Sequence, residues 1–220
     1  MLRRAFPGSR EWLESQNRKW WFTNVASISR KYSNLQGREQ EITHLIEQSY
    51  QDFMRRHAEK AVDDRAQTHL QVGCLMLATD KVLQPFIRDR QEVLEIIKAQ
   101  SGDQSSAFLS YLLRFSLLFT RDPFASSVRR LKALKLDLGK AFATSNVGLS
   151  DSSAQLDIHS CLYQSLFAEE GADQLLECCC CSQDMVWFDK LERHGVGFER
   201  TSWLGNGGKC CSLRLHQLKK

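Results

Sequence analysis

The sequence predicts an α+β fold, with an N-terminal helical body followed by a small antiparallel sheet that ends in a C-terminal hairpin. Three observations carry this. Apolar residues recur at three- and four-residue steps from Arg38 to about Phe142, the stripe of helices packed on a core. Towards the C-terminus come short apolar runs suited to strands, the first at Leu175 to Cys181. Two of them, Val196 to Leu204 and Cys210 to Leu215, flank Gly205-Asn206-Gly207-Gly208, whose residues tolerate the positive φ angles of tight connections.

Residues 1–37 mix Trp12, Trp20, Trp21 and Phe22 with polar residues in no sustained period, and are expected to form an arm packed on the body. Residues 38–220 are expected to form one α+β domain, helical over 38–143 and cysteine-rich over 154–216. In the first helix Ile42, Leu45, Ile46, Tyr50, Phe53 and Met54 share a stripe. A second runs from about Asp64 to Leu83, with Leu70, Cys74, Leu77 and Val82 inward and Pro85 marking its end. Further helices are expected over Arg88–Ala99, Gln104–Phe119 and Pro123–Phe142, the last opened by Asp122 as N-cap with proline at the first helical position. Thr144 to Ser153 is a loop. Leu156 to Glu170 is expected to be a helix ending at Gly171, and Leu175 to Cys181 a buried strand.

Composition narrows the function. A chain of 220 residues with 3 prolines can bury a full core. The net charge of +4 is spread among acidic residues, so nucleic acid is not an expected partner. The longest apolar run, Leu109 to Phe119, is broken by Arg114 and is shorter than the roughly 20 residues of a membrane span. Four of the 8 cysteines stand together at Cys178–Cys181 and two at Cys210–Cys211, whereas a disulfide scaffold spaces its cysteines among loops. That arrangement suits a reducing compartment, with the cytoplasm expected and import into a chloroplast or mitochondrion left open by the basic, serine-bearing start. A homodimer is also left open.

The candidate chemistry lies in the last third, where Cys161, Cys181 and Cys210/Cys211 fall near one another. Their spacing lacks the close pairs of a structural zinc site, so neither a metal nor another cofactor is expected. Core filling is the plain alternative for every one of these thiols. A nucleophilic thiol needs a base or a positive neighbour, and His159, His194 and Arg200 are the nearest in sequence. Arg200 has two readings: turned inward it would need an anionic partner such as a substrate carboxylate, and turned outward it would pair with Glu199 or Glu192. The residue pattern leans outward. Asp184 is either the cap of a short helix or a general base.

The run Cys161-Leu-Tyr-Gln, then Leu176 to Asp184, Arg200-Thr201 and Gly207-Gly208-Lys209-Cys210-Cys211-Ser-Leu-Arg214 resembles the C-terminal half of the L-2-amino-thiazoline-4-carboxylic acid hydrolase family. Leu162 stands where the family pattern has proline, and Ser212 where it has aspartate. The resemblance implies a small-molecule hydrolase that opens a cyclic amidine, the thiazoline ring of a cysteine-derived acid, to an N-carbamoyl amino acid. Its implied steps are attack at the carbon between nitrogen and sulfur, protonation of a departing nitrogen and clamping of the carboxylate. It further implies Cys161 or Cys211 as nucleophile or lining thiol, Asp184 with His159 for proton transfer, Arg200 as clamp, and Thr201, Cys181 and Trp203 beside the substrate.

A second class stays open. The ending is also similar to that of vinyl-reductase-type small-molecule-binding domains, which do no chemistry. A pocket lined by Cys178–Cys181, Trp187 and Trp203 would then hold an apolar ligand, a tetrapyrrole-like chromophore or a soft metal ion such as Cu(I).

Overall fold

The computed structural model describes residues 18–25, 27, 30, 32–33, 35–100, 120–181 and 191–218, with backbone alone at 178–180. The expected helix 104–119, Asp184 and Trp187 lie outside these residues.

The architecture is α+β. Helix α1 (Glu39–Arg56) buries Ile42, Ile46, Tyr50 and Phe53, the stripe its spacing predicts. Helix α2 (Asp64–Leu83) is buried on every side from 73 to 80, which makes it central among the described residues. Its buried polar residues have partners, as interior polar groups must. The Trp21 indole N–H donates to the Thr79 hydroxyl at 2.9 Å, and that hydroxyl donates to the Leu75 carbonyl at 2.8 Å. Asp80 pairs with Arg90, whose Nε donates to Gln174 at 3.0 Å. Through Trp21, Val25 and Leu35 the chain before α1 shares the main core.

Asp63 joins two distant segments. Its carboxylate accepts the N–H groups of Arg65 at 2.9 Å and Ala66 at 2.7 Å, capping α2, and that of Lys140 at 2.8 Å. These bonds, led by those from Ala66 and Lys140, hold its carboxyl below the ordinary aspartate range. Helix α3 (Pro123–Leu138) starts as predicted, with Asp122 accepting from the Ala125 N–H at 2.9 Å. It ends earlier than Phe142 because Gly139 turns to φ 72, where a Cβ would also stand 2.8 Å from Arg65 Cβ. Residues 90–100 are helical, close to the expected Arg88–Ala99.

Two expected elements are corrected. Leu156–Glu170 is not one helix: β3 (Ser153–Ser160) is followed by α4 (Leu162–Glu169). Ala154, Leu156 and Ile158 alternate with polar residues at period two, a signal hidden by the helical spacing of Leu162, Leu166 and Phe167 that follows. The expected strand Leu175–Cys181 is a π-helical turn over Leu176–Cys181, because a short apolar run suits helix and strand equally. The Thr144–Ser153 loop contains β2 (Gly148–Leu149) and adjoins β1 (Ala143–Thr144).

The hairpin is present as β4 (Val196–Ser202) and β5 (Cys211–Gln217). The sheet is antiparallel in the order β1-β3-β5-β4, with β2 also on β3. Ile158, Leu156 and Ala154 lie opposite Cys211, Leu213 and Leu215. Directly paired residues share a face, so these six form the sheet's buried side. Helix α3 packs against the sheet, and α4 crosses α2. No helix among the described residues is long and apolar enough to cross a membrane.

The crossing depends on Gly73, where a Cβ would stand 2.6 Å from Leu166 Cδ2 and 3.4 Å from Tyr163. Gly73→Val is expected to lower unfolding free energy by about 1–3 kcal/mol through overpacking, measured by urea denaturation. Combination with Leu166→Ala should recover part of that loss; strict additivity would show that the contact is not the cause. Asp63→Ala should lower the thermal midpoint at pH 7. Because the folded carboxyl titrates below its unfolded value of about 3.9, its stabilisation is complete above that value and disappears as pH falls through the lower, folded one. The midpoint gap between wild type and variant should therefore narrow below about pH 4.

Candidate functional site

Antiparallel pairing brings three strand ends together. β3 reaches Ile158 opposite Cys211, and β4 reaches Ser202 opposite Ser212. Cys161 at the N-cap of α4, Trp203 just after β4, and Cys210-Cys211 at the start of β5 thus lie at one end of the sheet. Cys181 reaches the same end from the π-helical turn. A Cβ at Gly205 would stand 3.4 Å from Cys181 Sγ and 3.4 Å from Trp203 Cδ1.

Arg200 settles the choice that its sequence left open. It lies opposite Leu213, so it shares the buried face with Cys211, and its Nη1 donates to the Cys181 carbonyl at 2.6 Å. The leaning towards an outward arginine is therefore corrected by the pleat. Neighbouring Glu199 points to the opposite face, 3.7 Å from Arg214 and 3.8 Å from His216. Between Arg200 and Ser202 the register shifts by one residue, which leaves exposed Thr201 as the extra residue of a β-bulge.

The thiols differ in their surroundings. Cys211 is buried, and its sulfur accepts the backbone N–H of Leu204 at 3.3 Å. A donated N–H is a partner for negative charge on sulfur. Burial, followed by the charge of Glu170, pushes the Cys74 thiol up to about 12, so it stays protonated in the core. Cys210 is also raised, by burial first and then by Asp157 and Cys211. Cys161 is half-buried before the first turn of α4.

His159 is not brought to this face. It follows inward Ile158 on β3 and is exposed, while His194 sits in a short 3-10 turn. The Trp203 indole N–H is buried and makes no hydrogen bond among the described residues. Among those residues no three His, Cys, Asp or Glu side chains are grouped to hold a metal ion. An open hollow of about 440 Å³ beside Asp63, Lys135 and Lys140 contains none of the sequence-derived site residues.

Two parts of this arrangement escaped the sequence. The Leu204 N–H is a backbone donor, which residue identity does not advertise. The bulge at Thr201 depends on pairing with β5, and the only local hint was the Arg-Thr-Ser-Trp run leading into the glycines.

No curated protein and no solved structure matches the chain significantly. The sequence model of one family, described as L-2-amino-thiazoline-4-carboxylic acid hydrolase, matches residues 21–215. A match over so much of the chain, helical body as well as cysteine-rich sheet, extends well past the C-terminal motifs, and the chain belongs to the L-2-amino-thiazoline-4-carboxylic acid hydrolase family.

Proposed function

We propose that the chain hydrolyses a small cyclic amidine carboxylate, with Cys211 as nucleophile and Arg200 as the carboxylate clamp. The observation that carries this is the placement of Cys211 and Arg200 on one buried face, with the Leu204 N–H donated to the Cys211 sulfur. Family membership supports the substrate class.

The departing nitrogen expected from the resemblance is corrected by the chemistry. An N-carbamoyl product keeps both nitrogens on the attacked carbon, so the bond that breaks is carbon–sulfur and no nitrogen departs. The Cys211 thiolate adds to the carbon between nitrogen and sulfur. The ring sulfur then leaves with the electron pair of its bond and takes up a proton, and an isothiourea linked to Cys211 remains. Water adds to the same carbon, and the Cys211 sulfur departs, leaving the urea of the carbamoyl product. One water is consumed and no oxidant is needed.

Asp184 is the proton carrier we favour, since it follows Cys181 by three residues in the chain and Cys181 adjoins Arg200. His159 would have to act from the exposed face of β3. Cys181 and Thr201 border the substrate, and Cys161 is the second thiol of the site. Arg200 presents five N–H donors in a rigid fork, suited to a carboxylate while one donor holds the Cys181 carbonyl.

The test is release of the ring sulfur as a free thiol from 2-amino-thiazoline-4-carboxylate by the full chain. Cys211→Ala should lower kcat about 10³-fold or more, whereas Cys74→Ser should leave the chemical step intact in whatever fraction folds. Arg200→Lys should raise KM about 10- to 100-fold, the loss of one bidentate contact. Wild-type turnover by Cys211→Ala with none by Cys161→Ala would move the nucleophile to Cys161. A co-purifying chromophore or metal, with no thiol released by wild type, would overturn the hydrolase in favour of a binding protein.

A further inference from the structure

The Trp203 indole N–H is a buried donor with no hydrogen-bond partner among the described residues. Such groups are uncommon, because each gives up its water without regaining a bond. Its position is informative. Trp203 is extended, with φ −150 and ψ 151, so the alternation of β4 continues past Ser202. Ser202 lies opposite Ser212 on the face away from Cys211, and the next residue returns to the face of Arg200. The turn after it is fixed, since the Trp203 carbonyl accepts the Gly208 N–H at 3.0 Å. The following residue, Leu204, supplies the N–H on the Cys211 sulfur. Trp203 Cδ1, the carbon bonded to the indole nitrogen, and Cys181 Sγ both stand 3.4 Å from the same point at Gly205.

We propose that the Trp203 indole N–H is the second donor for the substrate carboxylate, beside Arg200, and that it restricts the site to ring acids with a free carboxylate. This rests on the hydrolase reading above. Two donors of different geometry, a guanidinium fork and a single N–H, fix the carboxylate in position as well as attract it. A site built around such donors discriminates strongly against a ligand that leaves them unmatched. Among the described residues nothing offsets the cost of that donor in the ligand-free protein.

That trade-off separates a binding role from a structural one. Binding of thiazolidine-4-carboxylate, a ring acid that lacks the amidine and cannot be opened by this step, is measured by calorimetry on the full chain, with its methyl ester as control. Trp203→Phe removes the N–H but leaves a gap, so a second variant carries the benzothiophene isostere of tryptophan at position 203, which keeps the shape. With the isostere, acid affinity should fall about tenfold or more, the ester should bind weakly to both proteins, and the ligand-free thermal midpoint should stay level or rise. Equal acid affinity in wild type and isostere would overturn the inference alone. A lower ligand-free midpoint with the isostere would also overturn it, by showing that the N–H has a structural partner. Failure of wild type to bind the acid, together with no thiol release from the thiazoline, would remove the hydrolase reading and this inference with it.

Discussion

Leu213 faces Leu156 on one side and Arg200 on the other, and this pairing decides which side chains of three strands are buried. Side chains alternate along a strand, so a slip of one residue in β5 would carry Ser212 and Arg214 inward and send Cys211, Leu213 and Leu215 to solvent. The apolar run of β3 resists the slip, since Ala154, Leu156 and Ile158 would lose their partners together. The same register that stabilises the core therefore places Cys211 and Arg200 on one face. Shifting the pairing would dismantle the core and the proposed site at once.

An arginine on that face needs a compensating contact, because a charge removed from water must be hydrogen-bonded or paired. Part of the compensation is the Cys181 carbonyl, which ends the π-helical turn Leu176–Cys181. Positive charge is favoured where backbone carbonyls of a helical turn point outward. Two unusual local features thus meet at Arg200: a π-helical turn and, at Thr201, a β-bulge. Both are over-represented near functional sites. The rest of the sheet follows the ordinary rule of apolar side in and polar side out.

How far the sequence could be read depended on how local the deciding interaction was. α1 and α2 were legible because a helical stripe repeats within one segment, and α3 began where Asp122-Pro123 said it would. The Gly205–Gly208 turn marked the hairpin for the same reason. β3 was missed because its alternation is brief and runs directly into the spacing of α4. The direction of Arg200 could not be read from Glu199 and Thr201, since it is set by Leu213 on another strand and by a bulge between them. Asp63 shows the same limit. Its role as N-cap of α2 is local, whereas its bond to the Lys140 N–H spans 77 residues.

The two departures from the family pattern can now be placed. Leu162 is the first residue of α4 and is buried. Proline is favoured at that position because its missing N–H is one a helix leaves unused there, so a buried leucine keeps the element and adds apolar contact. Ser212 lies opposite Asp157, on the face away from Cys211, Leu213 and Arg200. An aspartate at 212 would stand beside the Asp157 carboxylate, and two like charges directly across a strand pair repel. Serine avoids that repulsion while Asp157 keeps a carboxylate on the same face. Neither Leu162 nor Ser212 is a side chain proposed as nucleophile or clamp, so both departures leave those proposed groups in place.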